Sequence, residues 1–157
     1  MPGTANQCIK NLITAWKTID GTGSFSNDIG NRASRVMATP AVIKNAERPG
    51  IYMEPRVLGD NNNSKPHHGR RTVSMVTVWK AFPKAGSNID DDTQQDLSYT
   101  LMQDMNLAID NNITLTGQAI ECEITRWEVS EGQPTQDQGG SIIVEVTTHF
   151  EQARSTA

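Results

Sequence analysis

Thr72-Val-Ser-Met-Val-Thr-Val-Trp-Lys-Ala-Phe82 is the stretch that decides the fold of this sequence. It is rich in β-branched and aromatic residues, which favour an extended strand. Both of its alternating faces are apolar, with Val73, Met75 and Trp79 on one and Val76, Val78 and Phe82 on the other. This pattern is typical of the centre of a sheet, so we predict a central strand that is covered on both sides.

Three further stretches alternate as strands do, at residues 51–58, 119–129 and 141–150. Pro55 lacks the N–H that a ladder needs, so the first stretch should lie at a sheet edge or contain a bulge. The residues expected to face the core from the other two stretches are Ile120, Cys122, Ile124, Ile142, Val144, Val146 and Phe150. Residues 24–49 are expected to be irregular, with a short strand at 35–38.

Two amphipathic helices complete the pattern. Thr4 is a predicted N-cap with Gln7 as its capping-box partner, and the helix after it should end at the glycines that follow Asp20. Its apolar positions are Cys8, Ile9, Leu12, Ile13, Trp16 and Ile19. The second helix should begin at Asp90–Asp92, end at Asn111 and bury Leu97, Leu101, Met105 and Ala108.

This order of elements predicts a single α+β domain over residues 1–157, in which an antiparallel or mixed sheet packs against two helices. Two long loops interrupt it, at residues 59–71 and 132–140, and residues 151–157 should form a frayed tail. The chain has a mass of 17.2 kDa, which suits one hydrophobic core.

The charge balance argues against a dedicated duplex-DNA binder. The net charge is −4 and the pI is about 5.3, whereas DNA-binding domains are usually basic. No run approaches the ~18 apolar residues of a membrane span, and no signal peptide is predicted. Cys8 and Cys122 lack the paired spacing of a zinc site, so we expect buried, reduced thiols.

No catalytic, metal or cofactor site is predicted. Asp90–Asp92 fit a helix N-terminus, where negative charge complements the macrodipole. His67 and His68 are adjacent, so their side chains should diverge and not chelate one ion. The sequence lacks both the nucleophile-elbow and the phosphate-loop motifs. The prediction is therefore that the chain is not an enzyme, and a small enzyme with an unrecognised site is kept as an alternative.

The loop at residues 59–71 is the first candidate interaction site. Loops of this length are uncommon in compact domains unless they have a function, and this one is polar with a basic tip. The residues predicted to contact a partner are Asn61, Asn62, Asn63, Lys65, His67, His68, Arg70 and Arg71. The alternatives are a solvated loop that protects a sheet edge and a nucleic-acid-binding tip.

The outer row of the strand at 119–129 is the second candidate site. Alternation places Glu121, Glu123, Trp127 and Val129 on the side away from the core. A tryptophan on a nominally polar face indicates a covered surface. We therefore predict an inter-subunit surface at Glu121, Glu123 and Trp127.

The layout resembles the tail terminator, or tail completion, proteins of tailed bacteriophages, of the lambda minor tail protein U type. The resemblance covers nearly the whole chain and rests on the order and length of the elements. It is carried by the N-terminal helix, the strand Arg71-Thr-Val-Ser-Met-Val-Thr-Val-Trp79, the acidic start of the second helix, and the strands Ala119-Ile-Glu-Cys-Glu-Ile-Thr-Arg-Trp127 and Ile142-Ile-Val-Glu-Val-Thr-Thr-His-Phe150.

The resemblance implies a hexameric ring on the head-proximal end of the tail tube, assembled in the cytoplasm of a bacterial host and retained in the virion. Such a ring ends tube polymerisation, contacts the tail tube protein and offers a surface to the head connector. DNA would pass through its lumen without specific binding, and no cofactor or membrane is involved. A head-completion or neck protein, which would contact the portal instead, is the alternative from the same class of proteins.

Overall fold

The computed structural model describes residues 4–35, 49–62, 70–84, 91–130 and 141–153 and has the predicted α+β architecture. In chain order the elements are α1 (Ala5–Trp16), β1 (Ala33–Ser34), β2 (Gly50–Asn62), β3 (Arg70–Phe82), α2 (Asp91–Asp110), β4 (Glu121–Ser130) and β5 (Ser141–Ala153). The strands form one five-stranded sheet in the order β1-β2-β3-β5-β4. It is a mixed sheet, because β1 runs parallel to β2 while the other neighbours are antiparallel.

Strand β3 is central, as its sequence predicts, and its inward row anchors the core. Trp79 lies opposite Met53 on one neighbour and Val144 on the other. Its ring meets Trp16 of α1 edge to face, with centroids 4.8 Å apart, an arrangement that suits the aromatic quadrupole. The Trp79 indole N–H donates to the Thr77 hydroxyl at 2.7 Å, so this buried donor is satisfied. These contacts attach the C-terminal end of α1 to the central strand.

The prediction that β3 is covered on both sides is wrong for the described part of the chain. Helices α1 and α2 bury their apolar residues in the same cluster as the inward row of β3. Val76, Val78 and Phe82 on the opposite side are only half-buried, and neither described helix covers that side. We call this side of the sheet the open face and the other the helix side.

Both helices begin as predicted, and their ends and buried faces differ in detail. The Thr4 hydroxyl accepts the Gln7 N–H at 3.1 Å, but the Gln7 side chain donates to Asn11 and does not complete a capping box. Helix α1 ends at Trp16, earlier than predicted, although Ile19 beyond it is buried. Helix α2 buries Leu101, Met105 and Ala108 as expected, leaves Leu97 half-buried, and also buries Ser98, Met102, Asp104 and Ile109.

The strands correct several predicted boundaries. The register of β2 shifts between Met53 and Val57, which confirms the irregularity predicted at Pro55. The loop predicted at 59–71 is shorter, because β2 continues to Asn62 and pairs there with Thr72. The short strand lies at Ala33–Ser34, while residues 36–38 lie outside the described residues. Strand β5 continues to Ala153, so residues 151–153 are not a frayed tail.

One inward prediction for β4 also fails. Cys122 is buried and Ile124 half-buried, but Ile120 precedes the strand and is 54% exposed. The N–H of Ile120 donates to His149 O at 2.7 Å, a contact made before regular pairing begins. Ile120 therefore lies before the point at which the in–out alternation of β4 begins, so that alternation does not set the direction of its side chain.

A buried carboxylate fastens the segment after α1 to α2. Asp104 is 3% exposed, and its oxygens accept the backbone N–H groups of Ser26 and Asn27 at 2.8–3.2 Å. The Asn27 side-chain amide adds a fourth contact at 2.8 Å. Hydrogen bonds to an ionised acceptor are stronger than neutral ones, so this cluster closes one end of the core.

Two tryptophans on the helix side should differ sharply in their contribution to stability. We expect Trp79→Ala to lower the free energy of unfolding by about 3–5 kcal/mol, because it empties a fully buried site. Trp127→Ala, at a half-exposed site, should cost less than about 1.5 kcal/mol. Urea unfolding followed by circular dichroism measures both. Equal losses would contradict the core assignment.

Asp104→Asn should lower the free energy of unfolding by about 2 kcal/mol, because it weakens charge-assisted hydrogen bonds in a buried site. The amides of Ser26 and Asn27 should then exchange faster with deuterium. Asp96→Asn is the matched control, since Asp96 is exposed on the same helix and should change stability by less than about 0.5 kcal/mol. Unchanged amide exchange in the Asp104 variant would argue against the cluster.

Candidate interaction surface

A bulge in β4 decides which side chains share a face. The register with β5 shifts between Ile124 and Arg126, leaving Thr125 as the extra residue. Its hydroxyl lies 2.9 Å from the hydroxyl of Thr147 on β5. An extra residue in one strand inverts the in–out alternation of everything that follows. Before Thr125 the odd-numbered residues of β4 face one side of the sheet, and after it the even-numbered residues face that side.

The bulge separates residues that were predicted to form one row. Glu121 and Glu123 pair with His149 and Thr147, which lie on the open face. Trp127 pairs with Val144, whose side chain is in the core. Directly opposite residues point to the same side of a sheet, so Trp127 and also Val129 lie on the helix side. The predicted shared outer row of Glu121, Glu123 and Trp127 is wrong, while their predicted role at an inter-subunit surface remains a prediction.

The open face has an acidic half along β4. Beyond the bulge, Arg126 and Glu128 pair with Glu145 and Ile143, so they join Glu121 and Glu123 on this face. We call Glu121, Glu123 and Glu128, together with Glu145 of β5, the acidic column. The three β4 glutamates are exposed, Glu145 is half-buried, and Arg126 is the basic residue among them. The acidic column therefore carries excess negative charge at the edge of the sheet.

The other half of the open face is apolar at its centre, with Ser74 and Asp60 to one side and Lys80 to the other. Val76 and Val78 of β3 are half-buried side by side, and Leu58 of β2, opposite Val76, is 56% exposed. Towards the other end of the sheet, the rings of Tyr52 and Phe82 are 6.0 Å apart. Contiguous apolar surface of this kind commonly marks a protein contact. The open face thus combines an apolar half and an acidic half.

His149 lies between these halves and is hydrogen-bonded within the sheet. Its Nδ1 is 2.8 Å from the Ser74 hydroxyl on β3, and the two residues are directly opposite in register. His67 and His68 lie outside the described residues. Among the residues that the structure describes, no three His, Cys, Asp or Glu side chains form a group that could hold a metal ion.

An aromatic pair on the helix side was not predicted from the sequence. Trp127 of β4 is 47% exposed and meets Tyr99 of α2, itself 45% exposed, with ring centroids 6.1 Å apart. We call these two residues the aromatic patch. The helical periodicity of α2 does not mark Tyr99 as a contact residue. The pair forms because the β4 bulge turns Trp127 to the helix side.

The predicted partner-contact loop divides between strand and undescribed chain. Asn61 and Asn62 belong to β2, and Arg70 and Arg71 begin β3. Asn63, Lys65, His67 and His68 lie outside the described residues. Arg71 pairs with Gln152, two positions along the ladder from the buried pair of Val73 and Phe150, so its side chain is on the helix side. Its Nε is buried without a hydrogen-bond partner among the described residues.

The two cysteines are buried in the core as expected. Burial raises the pKa of the Cys8 thiol to about 11, and burial also raises the pKa of Cys122 to about 11 despite an opposing hydrogen bond from Thr148. A thiol is nucleophilic as its thiolate. Both groups are therefore protonated near neutral pH, which is unsuited to a nucleophile.

These raised pKa values predict a loss of stability at high pH. The thiols have a pKa near 9 when unperturbed and about 11 in the folded chain, so the unfolded chain loses these protons first as pH rises. The stabilisation is complete below pH 9 and should disappear between pH 9 and 11. Urea unfolding across this range, compared with a Cys8→Ala/Cys122→Ala variant, isolates the effect. A variant with the same pH slope as the parent would refute it.

No described helix is both long and apolar enough to cross a membrane. No protein-family model matches the chain. A search of curated proteins also found no match.

Proposed function

We propose that this chain is a structural virion protein of the tail terminator type. Copies of it form a hexameric ring on the head-proximal end of a phage tail tube. The ring ends polymerisation of the tube and presents a surface to the head connector. Its work is done by surface contacts, without a catalytic step or a cofactor.

The observation that carries this proposal is the open face. A sheet whose helices all pack on one side leaves the other side for solvent or for a partner. Here that side carries Val76, Val78 and Leu58 at its apolar half. Ser74 and Lys80 flank this group in the same row of β3, but Val76, Val78 and Leu58 are adjacent to one another, and contiguous apolar surface commonly marks a protein contact.

A closed ring also needs two different surfaces on each subunit, because a head-to-tail contact joins unlike patches. The chain offers the open face on one side of the sheet and the aromatic patch, Tyr99 and Trp127, on the other. Tyrosine and tryptophan are enriched at protein interfaces. Separate surfaces of this kind suit both neighbouring subunits and the tube.

The charge of the chain agrees with a channel for DNA. With a net charge of −4, the subunit has no excess of cations with which to hold phosphates. Phosphate contacts by lysine and arginine dominate non-specific DNA affinity. A ring of such subunits would let DNA pass through its lumen without gripping it.

Electron microscopy of particles made without this chain tests the proposal. Removal of its gene from the virus that encodes it should give overlong tails without heads, because tube growth is no longer stopped. Tails of normal length that fail to join heads would instead identify a head-completion or neck connector. Normal virions would refute both functions.

A loop replacement tests the predicted partner-contact loop in the same assay. Residues 63–69 are replaced by glycine and serine at equal length, which preserves the β2–β3 pairing that ends at Asn62 and Thr72. The variant should keep the unfolding midpoint of the parent but fail to cap tails. The matched control makes the same replacement at residues 132–140 and should cap normally. If the variant with the replaced residues 63–69 still caps tails, the partner-contact loop is not part of the contact surface.

A further inference from the structure

We propose that the outer side of helix α1 in one copy of this chain docks on the open face of a second copy. This inference rests on the proposed ring and names the two surfaces that meet in it. The first surface, which we call the basic face, consists of Lys10, Lys17 and Arg35, all of them exposed. The second is the apolar half of the open face together with the acidic column beside it.

The basic face follows from the amphipathic pattern of α1. Lys10 lies within the helix and Lys17 is the residue at its C-terminal cap. They are seven residues apart, which is nearly two turns, so their side chains leave the same side of the helix about 10 Å from each other. The Arg35 guanidinium adds a third cation beside the first turn, where it donates to the side-chain oxygen of Asn6. Helix α1 contains no acidic residue that would neutralise this charge.

Charge distinguishes α1 from α2 as the helix that fits the open face. Both helices pack on the helix side of the sheet, so each could present its outer side to a neighbouring copy. Helix α2 contains five aspartates and no lysine or arginine, and its Asp96 and Asp110 are exposed. Opposite charges across an interface guide association, whereas like charges oppose it. The acidic column therefore attracts α1 and repels α2.

The acidic column is long enough for both lysines of the basic face. Glu121 pairs with His149 and Glu128 with Ile143, which are six residues apart on β5. A strand rises about 3.3 Å per residue, so the column extends over about 20 Å. The two lysines of α1 fall within this length.

The open face also suits the chemistry of a lysine side chain. Glu145 of the acidic column lies directly opposite Val78 on the neighbouring strand, and both are half-buried. Adjacent strands are about 4.8 Å apart, so one side chain can reach both. Lysine packs its methylene stem on apolar surface and keeps its ammonium group at a polar site. The apolar half is thus a reason, independent of charge, to expect a partner on this face, and the charges specify which partner.

The two surfaces cannot meet within one copy, because the sheet separates them. Helix α1 packs on the helix side through Trp16, whereas the apolar half and the acidic column lie on the open face. A contact between unlike patches on separate copies is head-to-tail, and such contacts close into a ring when the rotation between copies permits it. The proposed contact therefore joins neighbouring subunits of the ring.

Charge reversal on either surface should break the assembly. Lys10→Glu/Lys17→Glu places an acidic helix opposite the acidic column, and Glu121→Lys/Glu123→Lys places lysines opposite the basic face. All four residues are exposed, so the variants should fold as the parent does, which circular dichroism checks. Each variant alone should raise the concentration for half-assembly by at least about tenfold, because like charges then face each other. Sedimentation velocity over a concentration series at low salt measures this, and unchanged assembly of both variants would overturn the proposal.

Mixing the two variants provides the decisive measurement. In an equimolar mixture every contact can again join opposite charges if the two kinds of subunit alternate around the ring. Assembly should therefore recover in the mixture, and native mass spectrometry should show equal numbers of each variant per ring. A single chain that carries all four substitutions should also assemble. If neither sample recovers, the pairing of α1 with the open face is wrong.

A matched control places two lysines outside both surfaces. Asn106→Lys/Asp110→Lys alters two exposed residues of α2 and should assemble as the parent does. An equal loss of assembly in this control would show that overall charge governs association, and it would overturn the proposal. If the parent forms rings that no reversal disturbs, this contact is wrong while the proposed ring stands. A parent that stays monomeric would also overturn the contact, and electron microscopy of the tails would then decide the proposed function by itself.

Discussion

The edge-to-face contact between Trp16 and Trp79 is the interaction on which the rest of the structure depends. It joins α1 to the central strand at 4.8 Å, and it does so from one side of the sheet only. Helix α2 completes the same layer through Leu101 and Met105. Because all of the described helical cover lies on that side, the chain buries a full core and still leaves a broad sheet face for other molecules.

Much of this architecture could be predicted from the sequence because it follows from periodicity. The apolar run around Trp79 identified the central strand, and alternation gave the inward row of β5 correctly. The second face of β3 misled the prediction, since apolar residues on both sides of a strand normally mean burial within one chain. Val76 and Val78 are instead half-buried, which periodicity cannot distinguish from cover by a partner.

The candidate site could be predicted only in part, and the reason is a single extra residue. Alternation assumes an uninterrupted strand, so it placed Glu121 and Trp127 together. Thr125 breaks that assumption by shifting the register, and no local composition marks this position as a bulge. The contact between Trp127 and Tyr99 and the hydrogen bonds from Asn27 to Asp104 both join segments that are distant in the sequence. Periodicity within one sequence does not predict such contacts.

The irregularities near both borders of the sheet have a consequence for assembly. The register of β2 shifts around Pro55, beyond the residues that pair with β1. The register of β4, the edge strand at the other end of the described sheet, shifts at Thr125. Interrupted ladders are poor templates for the backbone of another molecule. Both irregularities therefore disfavour open-ended strand-to-strand pairing between copies of this protein, and a contact between copies would depend on side chains instead.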